Sequence, residues 1–365
     1  MRHRGILSLA GALLAIAFLG LACVDVPGGG TTGGTVLYAY DSNAHQLIEW
    51  DASTFYDSDS PITLKTVNST VFTNQMGNLS WGGLCLDSSS NLLYLVNETT
   101  GAVVRVNNIR KQSGTISNQD VATFTLGSSS SDRLSAGKFG QAAIDPATGT
   151  LFVTEKNESD TRIWVVSGAG RIPDGATVQP TPITVSGDKD GTGIAAGPSG
   201  QVFAYFDSGN AIGIGTDQRN GPRLRKGTPT GFSKDISVLA GTNTTLGKYG
   251  TLAFDSGNNL LFVARHNVDS SVSGVPVLAF STGQFNGGGY EQAPSFTLGT
   301  AADQGSIRVL AHPGNKEWLA ALNSSGEQPS NVIHIWKLPR DSGSVAKIKN
   351  ITSAQIKGIA FDGNN

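Results

Sequence analysis

Residues 356–365 of this chain read IKGIAFDGNN, a short apolar run that ends at Asp362 with only three residues after it. Three earlier stretches begin with the same pattern and continue into a second apolar run: residues 83–96 (GLCLDSSSNLLYLV), 141–155 (QAAIDPATGTLFVTE) and 250–264 (GTLAFDSGNNLLFVA). The runs that would complete the last copy stand at the other end, as residues 35–40 (TVLYAY) and 46–51 (QLIEWD). A repeat divided between the two ends of a chain is typical of a closed ring of β-blades, because pairing its two parts fastens the ring.

The repeat is marked by the residue that closes each first run. This marker is an aspartate in four copies and a glycine or a histidine in the other two: Asp87, Asp145, Gly197, Asp255, His312 and Asp362. Neighbouring markers are 50 to 58 residues apart, a spacing that indicates propeller blades with loop insertions. The sequence therefore predicts an all-β fold, a six-bladed β-propeller closed by N-terminal strands that complete the C-terminal blade. An open solenoid is the alternative, and it leaves the divided repeat unexplained.

Each repeat is expected to contain four strands, and the third repeat shows where a loop is expected. Its third strand is predicted at residues 212–215 and its fourth at residues 236–239. Between them lies the basic stretch at residues 217–231 (DQRNGPRLRKGTPTG), which we interpret as a solvated loop; contact with anionic lipid or polysaccharide is the alternative.

The composition favours many short strands joined by turns. Of the 365 residues 47 are Gly, charged residues make up 15%, and the formal net charge is −2. Such a weak and balanced charge does not supply the basic surface that nucleic-acid binding requires. No apolar period near that of a helix, about 3.6 residues, is sustained beyond residue 30. We therefore expect a single domain at residues 35–365.

The N-terminus has the features of a secretory signal. Arg2 and Arg4 precede an apolar stretch at residues 6–21, which is shorter than the roughly 20 residues that a membrane span needs. It ends in LGLAC (residues 19–23), which resembles a bacterial lipobox, although Gly20 stands where that motif usually has Leu, Val or Ile. We predict a signal peptide at residues 1–22 and a lipid on Cys23; secretion without lipid is the alternative.

Residues 23–34 (CVDVPGGGTTGG) form the predicted linker between the lipidated Cys23 and the domain, since a Gly/Thr-rich chain behaves as a flexible coil. The other cysteine, Cys85, lies in an apolar run and has no disulfide partner once Cys23 carries lipid, so we expect a small buried hydrophobe. The lipobox resemblance implies a cell-envelope location. Because Val24 rather than Asp follows the cysteine, it implies the outer membrane in a Gram-negative cell.

Residues 142–166 (AAIDPATGTLFVTEKNESDTRIWVV) resemble the NHL-type repeat of β-propellers. They have its apolar strand, Asp-Pro turn, second strand, polar loop with Asn, and Arg-Ile-x-Val strand. Residues 123–127 (TFTLG) and 295–299 (SFTLG) look like the fourth strand of such repeats. The resemblance extends over residues 35–362 and departs from the pattern at Gly197 and His312. It implies a propeller that binds partners and implies no particular chemistry.

Polar residues follow the second strand in several repeats, so a ring can bring them to one face. Lys138 and Lys248 precede first strands in the similar stretches GKFG (137–140) and GKYG (247–250). Carboxylate and amide oxygens from several loops are the ligands that Ca²⁺ takes in proteins. The candidate ligand-facing residues are Asn97, Glu98, Lys138, Glu155, Asn157, Asp207, Lys248, His266 and Asn323. Solvated loops without a ligand are the alternative.

Motifs of known enzyme classes do not occur in the sequence: no zinc-ligand spacing, nucleophile elbow, phosphate loop or dinucleotide fingerprint is present. The predicted function is therefore binding or scaffolding by a monomeric, lipid-anchored propeller with a protein or glycan partner, no nucleic acid, no cofactor and no catalytic residues. The alternative is a metal-dependent hydrolase of lactonase or esterase type with Ca²⁺ on the ring axis. An axial cluster of Glu, Asp or Asn favours the hydrolase, and an apolar or plugged channel favours binding.

Overall fold

The apolar runs form the strands of six antiparallel sheets, each with its strands in meander order. The computed structural model describes residues 35–52, 63–67, 83–97, 100–111, 115–127, 139–155, 161–185, 188–197, 200–209, 212–214, 217–219, 223–232, 250–264, 277–284, 295–298, 306–314, 317–324, 332–338, 347–350 and 355–362. All of them belong to one compact unit, Thr31–Asn365. The predicted signal peptide, Cys23 and the linker lie outside the described residues.

The six sheets are the predicted blades, numbered here by the chain order of their first strands. Blade 1 contains Gly83–Asp87, Leu92–Val96, Ala102–Asn107 and Val121–Leu126. Blade 2 contains Phe139–Asp145, Thr150–Glu155, Thr161–Val166 and Thr181–Val185. Blade 3 contains Asp188–Gly197, Gln201–Gly209, Arg223–Thr228 and Gly231–Phe232.

Blades 4 to 6 complete the set. Blade 4 contains Thr251–Asp255, Leu260–Ala264, Val277–Ser281 and Phe296–Leu298. Blade 5 contains Ser306–Ala311, Trp318–Ser324, Val332–Lys337 and Lys347–Asn350. Blade 6 contains Ile356–Asp362, Val36–Asp41, Gln46–Asp51 and Thr63–Val67. Short 3₁₀ helices occupy Ile109–Lys111, Asn118–Asp120, Ala169–Arg171 and Thr282–Gln284. No helix in the described part of the chain is long and apolar enough to cross a membrane.

Blade 6 confirms the predicted closure. Val36–Asp41 lies between Gln46–Asp51 and the C-terminal strand Ile356–Asp362 and pairs antiparallel with both. The first strand of each blade contacts the first strands of its two neighbours, and that of blade 6 contacts that of blade 1. Arg110 of blade 1 also links blade 1 to blade 6. Its Nη2 donates hydrogen bonds to Oδ1 of Asp362 at 2.6 Å and to the carbonyl of Ser88 at 2.8 Å.

Six apolar clusters hold the blades together, one at each interface between neighbouring blades. Trp164 packs between blades 1 and 2, Trp336 between blades 4 and 5, and Trp50 between blades 5 and 6, and all three are buried. Burying one large apolar side chain contributes about 1.5–3 kcal/mol. Each blade is apolar on both sides, so it is stable only with a neighbour on each side.

Three of the four aspartates that mark the repeat cap hairpin turns: Asp87, Asp145 and Asp255. Asp41, which ends the second strand of blade 6, caps a turn in the same way, whereas the marker Asp362 accepts a hydrogen bond from Arg110. Asp87 Oδ1 accepts the backbone N–H groups of Ser89 and Ser90, both at 3.1 Å. Asp41, Asp145 and Asp255 accept N–H groups two or three positions on in the same way. The residue four positions after each Asp has positive φ: His45 (52°), Asn91 (58°), Gly149 (64°) and Asn259 (53°). These residue types tolerate that conformation best, so His45 occupies a turn position.

Blade 3 corrects two predicted strands. Its third strand is Arg223–Thr228, inside the stretch predicted as a loop, and its fourth is Gly231–Phe232. Residues Ile212–Ile214, predicted as the third strand, pair with Asp217–Arg219 in a separate hairpin. The prediction failed because RLRKGT contains one apolar residue, Leu224, which is buried; long basic side chains can cover apolar surface with their stems, so a charged run can still be a strand. The predicted fourth strand at residues 236–239 lies outside the described residues.

Two short strands extend blades at their outer edges. Thr115–Ile116 of blade 1 pairs in parallel with the fourth strand of blade 6, and Ala176–Val178 of blade 2 pairs in parallel with that of blade 1. Asp174 fixes the second addition, since its Oδ1 accepts the N–H of Thr123 at 2.7 Å and the hydroxyl of Thr123 at 3.0 Å. The additions join blades 6, 1 and 2 at the rim.

In the described residues, no such short strand pairs with the fourth strand of blade 2. The added strands of blades 1 and 2 lie between the third and fourth strands of those blades, and in blade 3 only residues 229–230 separate these two strands. Pro182 lies in this edge strand of blade 2, and a proline without an N–H protects an edge from pairing with another chain.

We expect Pro182→Val to cause self-association, seen as dimers or larger species in sedimentation velocity. Thr184→Val, which leaves Pro182 in place, is the matched control and should sediment like the wild type. Identical sedimentation of Pro182→Val and wild type would contradict this role.

Candidate functional site

The ring has two faces, defined by the direction of its first strands. The first strands end at the turn face, where the turns after Asp87 and Asp145 touch through the bond from Ser89 Oγ to the carbonyl of Pro146 at 2.8 Å. The second strands run back and end at the opposite face, the hairpin face. Val36–Asp41 is the second strand of blade 6 and is antiparallel to its first strand. The chain therefore enters the described propeller at the turn face.

Four of the predicted ligand-facing residues stand at the hairpin face. Asn97 directly follows the second strand of blade 1, Glu155 ends that of blade 2, and Asp207 and Asn323 lie close to the ends of those of blades 3 and 5. The remaining candidates, Glu98, Lys138, Asn157, Lys248 and His266, lie outside the described residues. That these residues face a ligand stays a prediction.

Asn97 and Glu155 are both held by their own hairpins. Asn97 is buried, and its Oδ1 accepts the N–H of Thr100 at 3.3 Å. Glu155 is fully buried and accepts two bonds from Arg162, Nε to Oε2 at 2.7 Å and Nη2 to Oε1 at 3.0 Å. The Arg162 guanidinium also lies 5.0 Å from the centre of the Trp164 ring. These oxygens are therefore engaged within their own hairpins, and a cation at Glu155 would compete with the Arg162 guanidinium for the same carboxylate.

A cavity of about 120 Å³ lies on the axis, lined by all six first strands. Most of the lining residues are apolar, and small ones such as Ala142, Ala253 and Ala360 recur among them. Cys85 lines the cavity as well, and burial raises the pKa of its thiol, which agrees with an inert hydrophobe. The polar side chains among the described lining residues are Gln141 and His312. In the described part of the chain no group of three or more His, Cys, Asp or Glu could hold a metal ion.

Gln141 ties three blades together beside this cavity. Its Oε1 accepts the N–H of Ile194 at 3.1 Å, the hydroxyl of Thr251 at 2.9 Å and the N–H of Leu252 at 3.2 Å. Its Nε2 donates to the carbonyl of Leu252 at 3.1 Å. Ile194 and Leu252 lie in the innermost strands of blades 3 and 4, so the side chain links blade 2 to both. We call the Gln141 side chain with these hydrogen bonds the Gln141 tie. It partly blocks the channel along the axis of the ring.

His312 occupies the place of the turn aspartate in blade 5. Its Nδ1 accepts the N–H of Gly314 at 2.9 Å, as the turn aspartates do in other blades, so the neutral ring carries its hydrogen on Nε2. Nε2 lies 3.6 Å from Oδ2 of Asp255, too far for a hydrogen bond, and the ring stacks on Phe262. Burial lowers the pKa of His312 to about 4, against an opposing effect of the Asp255 carboxylate.

Sequence reasoning missed Gln141, although a signal existed. Gln141 stands four residues before its marker Asp145, where three other repeats have Gly83, Gly193 and Gly358. At Gly83 close packing requires glycine, since a Cβ there would lie 2.7 Å from the backbone nitrogen of the neighbouring Ala142. A long polar side chain in a glycine position indicates a contact particular to that blade.

Comparison with known proteins identifies the fold. No protein-family model and no curated protein matches the chain. The structure of a nidogen/laminin complex matches with a TM-score of 0.53 at 13% identity, over 91% of this chain and 100% of that chain. A functionally unknown protein from Desulfotomaculum acetoxidans matches with 0.50 at 12%, over 90% and 99%. TolB from Acinetobacter baumannii matches with 0.48 at 11%, over 92% and 67%. At such low identity the likeness concerns the fold alone.

Proposed function

We propose that this protein is a cell-envelope propeller of NHL-type repeats that binds a protein partner and is held on a membrane by lipid on Cys23. The observation that carries the proposal is the plugged axis: a cavity of about 120 Å³ with the Gln141 tie across three blades. Specific protein interfaces bury about 800 Å² on each partner, so a partner has to bind on a face of the ring and not in the axial cavity. A structure of this fold contains nidogen and laminin in complex, so the fold is compatible with protein binding.

The hairpin face is the proposed partner surface. The chain enters the propeller at the turn face, through the second strand of blade 6. A flexible linker of twelve residues, 23–34, spans on the order of 20 Å, so a lipid on Cys23 keeps the turn face on the membrane side. The hairpin face then points away from the membrane, which in a Gram-negative cell is the outer membrane. A glycan is the alternative ligand for the same face.

The hydrolase alternative has less support. It needs oxygen ligands from several blades to converge on a cation. Glu155 and Asn97, two of the candidates, are already bonded within their hairpins. Most of the side chains that line the axial cavity are apolar, and its described lining residues include no carboxylate. We therefore propose a function without a resident cofactor.

Site-specific photo-crosslinking in cells tests the proposed function. Thr100 is exposed at the hairpin face of blade 1, and Ser90 is exposed at the turn face of the same blade. A photo-reactive residue at position 100 is expected to give a discrete crosslinked protein band, whereas the same residue at position 90 serves as the matched control and should give none. Bands of equal strength at both positions, or at position 90 alone, would refute the hairpin-face assignment.

The anchor is tested in the same cells. Cys23→Ala is expected to move the protein from the membrane fraction to the soluble fraction and to abolish labelling by a fatty-acid analogue. Membrane association that persists in Cys23→Ala would contradict the lipid anchor. The partner surface is tested separately, by the crosslinks at positions 100 and 90.

A further inference from the structure

Three hydrogen-bond donors converge on one oxygen at the axial cavity. They are the backbone N–H of Ile194, the hydroxyl of Thr251 and the backbone N–H of Leu252, at 3.1, 2.9 and 3.2 Å from Oε1 of Gln141. Ile194 and Leu252 belong to innermost strands, which have no sheet partner on the axial side. The donors are therefore supplied by the closed ring itself, and they surround a position that suits a carbonyl or carboxylate oxygen.

A fourth group selects the kind of ligand. The carbonyl of Leu252 accepts a hydrogen bond from Nε2 of Gln141 at 3.1 Å. A carboxamide satisfies all four groups, because its oxygen accepts and its nitrogen donates. A carboxylate would place its second oxygen against the Leu252 carbonyl, oxygen against oxygen. The arrangement thus prefers a carboxamide to a carboxylate.

The site adjoins space that a ligand can enter. Gln141, Ile194 and Leu252 all line the cavity of about 120 Å³. Thr251 is buried, with 1% of its surface exposed, whereas Gln141 is half-buried and so is accessible from the cavity side. A buried hydroxyl and two inner-edge amides would be left unsatisfied without an acceptor, which would destabilise the folded protein.

We propose that this cluster is a binding site for a carboxamide group, occupied in cis by the side chain of Gln141. An external ligand of this class binds when the Gln141 carboxamide is absent or displaced. The inference uses the same Gln141 contacts as the proposed function, but its test does not depend on which face of the ring binds a partner.

Chemical rescue tests the site. Gln141→Ala removes the atoms of one acetamide molecule from the side chain, so acetamide is the matched probe. We expect the substitution to lower the melting temperature by about 5 °C. Acetamide at about ten times its dissociation constant should then raise the melting temperature of the variant by about 3 °C, with no rise in the wild type. In amide NMR spectra of the variant, the Ile194 and Leu252 resonances should move on titration.

Further arms separate the site from general effects of the solute. Acetate should raise the melting temperature of Gln141→Ala less than acetamide does. The double variant Gln141→Ala/Thr251→Val lacks one of the three donors, so acetamide should raise its melting temperature much less than that of Gln141→Ala. The single variant Thr251→Val is the reference for the melting temperature of the double variant. If Gln141→Ala does not fold, Gln141→Asn, whose carboxamide is one methylene too short to reach the donors, takes its place. Equal stabilisation of wild type and variant by acetamide, or unmoved Ile194 and Leu252 resonances, would overturn the proposal.

Discussion

Removal of residues 356–365 is expected to leave a protein that aggregates during expression or purification. The deletion takes away Ile356–Asp362, the innermost strand of blade 6, whose Ile356, Ile359 and Phe361 are buried. At about 1.5–3 kcal/mol for each large side chain, this loss is comparable to the whole stability of an ordinary domain, about 5–15 kcal/mol. It also exposes an edge of Val36–Asp41, and exposed edges pair with other chains.

Solubility and size-exclusion profiles of the truncated chain measure this effect. A chain shortened by residues 363–365 alone is the control, because it keeps the entire strand and should behave like the wild type. A synthetic peptide of residues 355–365 added during refolding should restore soluble protein by supplying the strand in trans. A truncated chain with wild-type solubility and melting would show that the ring does not depend on this strand.

Lowering the pH from 7 to 4 should destabilise the wild type more than His312→Asn, by about 3 kcal/mol. The pKa of His312 is about 4 in the folded protein against 6.5 for an ordinary histidine, a difference of 2.5 units, because burial disfavours the charged ring. Between pH 6.5 and pH 4 the unfolded chain binds a proton that the folded chain does not. Stability therefore falls as the pH falls through this window and levels off below it.

Urea unfolding at pH 7, 6, 5 and 4 measures the difference. Asn is the matched replacement, because its side-chain oxygen can accept the N–H of Gly314 as Nδ1 of His312 does. Loss of stacking on Phe262 lowers the stability of His312→Asn equally at every pH and so does not change the slope. Parallel stability curves for the two proteins would exclude His312 as the source of the pH dependence.

The first and second strands were predictable from the sequence to within a few residues. Gly83–Asp87 and Leu92–Val96 have the predicted bounds, because the Asp that caps the turn fixes where one strand ends and the next begins. The closure of blade 6 was predictable for the same reason, since its two parts carry the pattern of the other repeats. Local turn chemistry and apolar runs carry this information.

Features that depend on contact between distant segments were not predictable. Thr115–Ile116 and Ala176–Val178 are too short to show a period, and they become strands only because a neighbouring blade offers an edge. Gly197 replaces the turn aspartate because a Cβ there would overlap the ring of Phe254 in blade 4, which sequence spacing cannot show. For the candidate site, the repeat pattern was enough to place Asn97 and Glu155 at the ends of second strands. The Glu155–Arg162 pair and the Gln141 tie required the structure.

The position of Val36–Asp41 also determines how the protein bears load. A pull on the chain before Thr35 acts along this strand, which is bonded on both sides, to Gln46–Asp51 and to Ile356–Asp362. Because antiparallel bonds run perpendicular to the strands, such a pull loads the two rows in shear, and their bonds must break together. A peripheral strand pulled sideways would instead unzip one pair at a time. The closure of blade 6 is thus suited to resist tension from the N-terminal side.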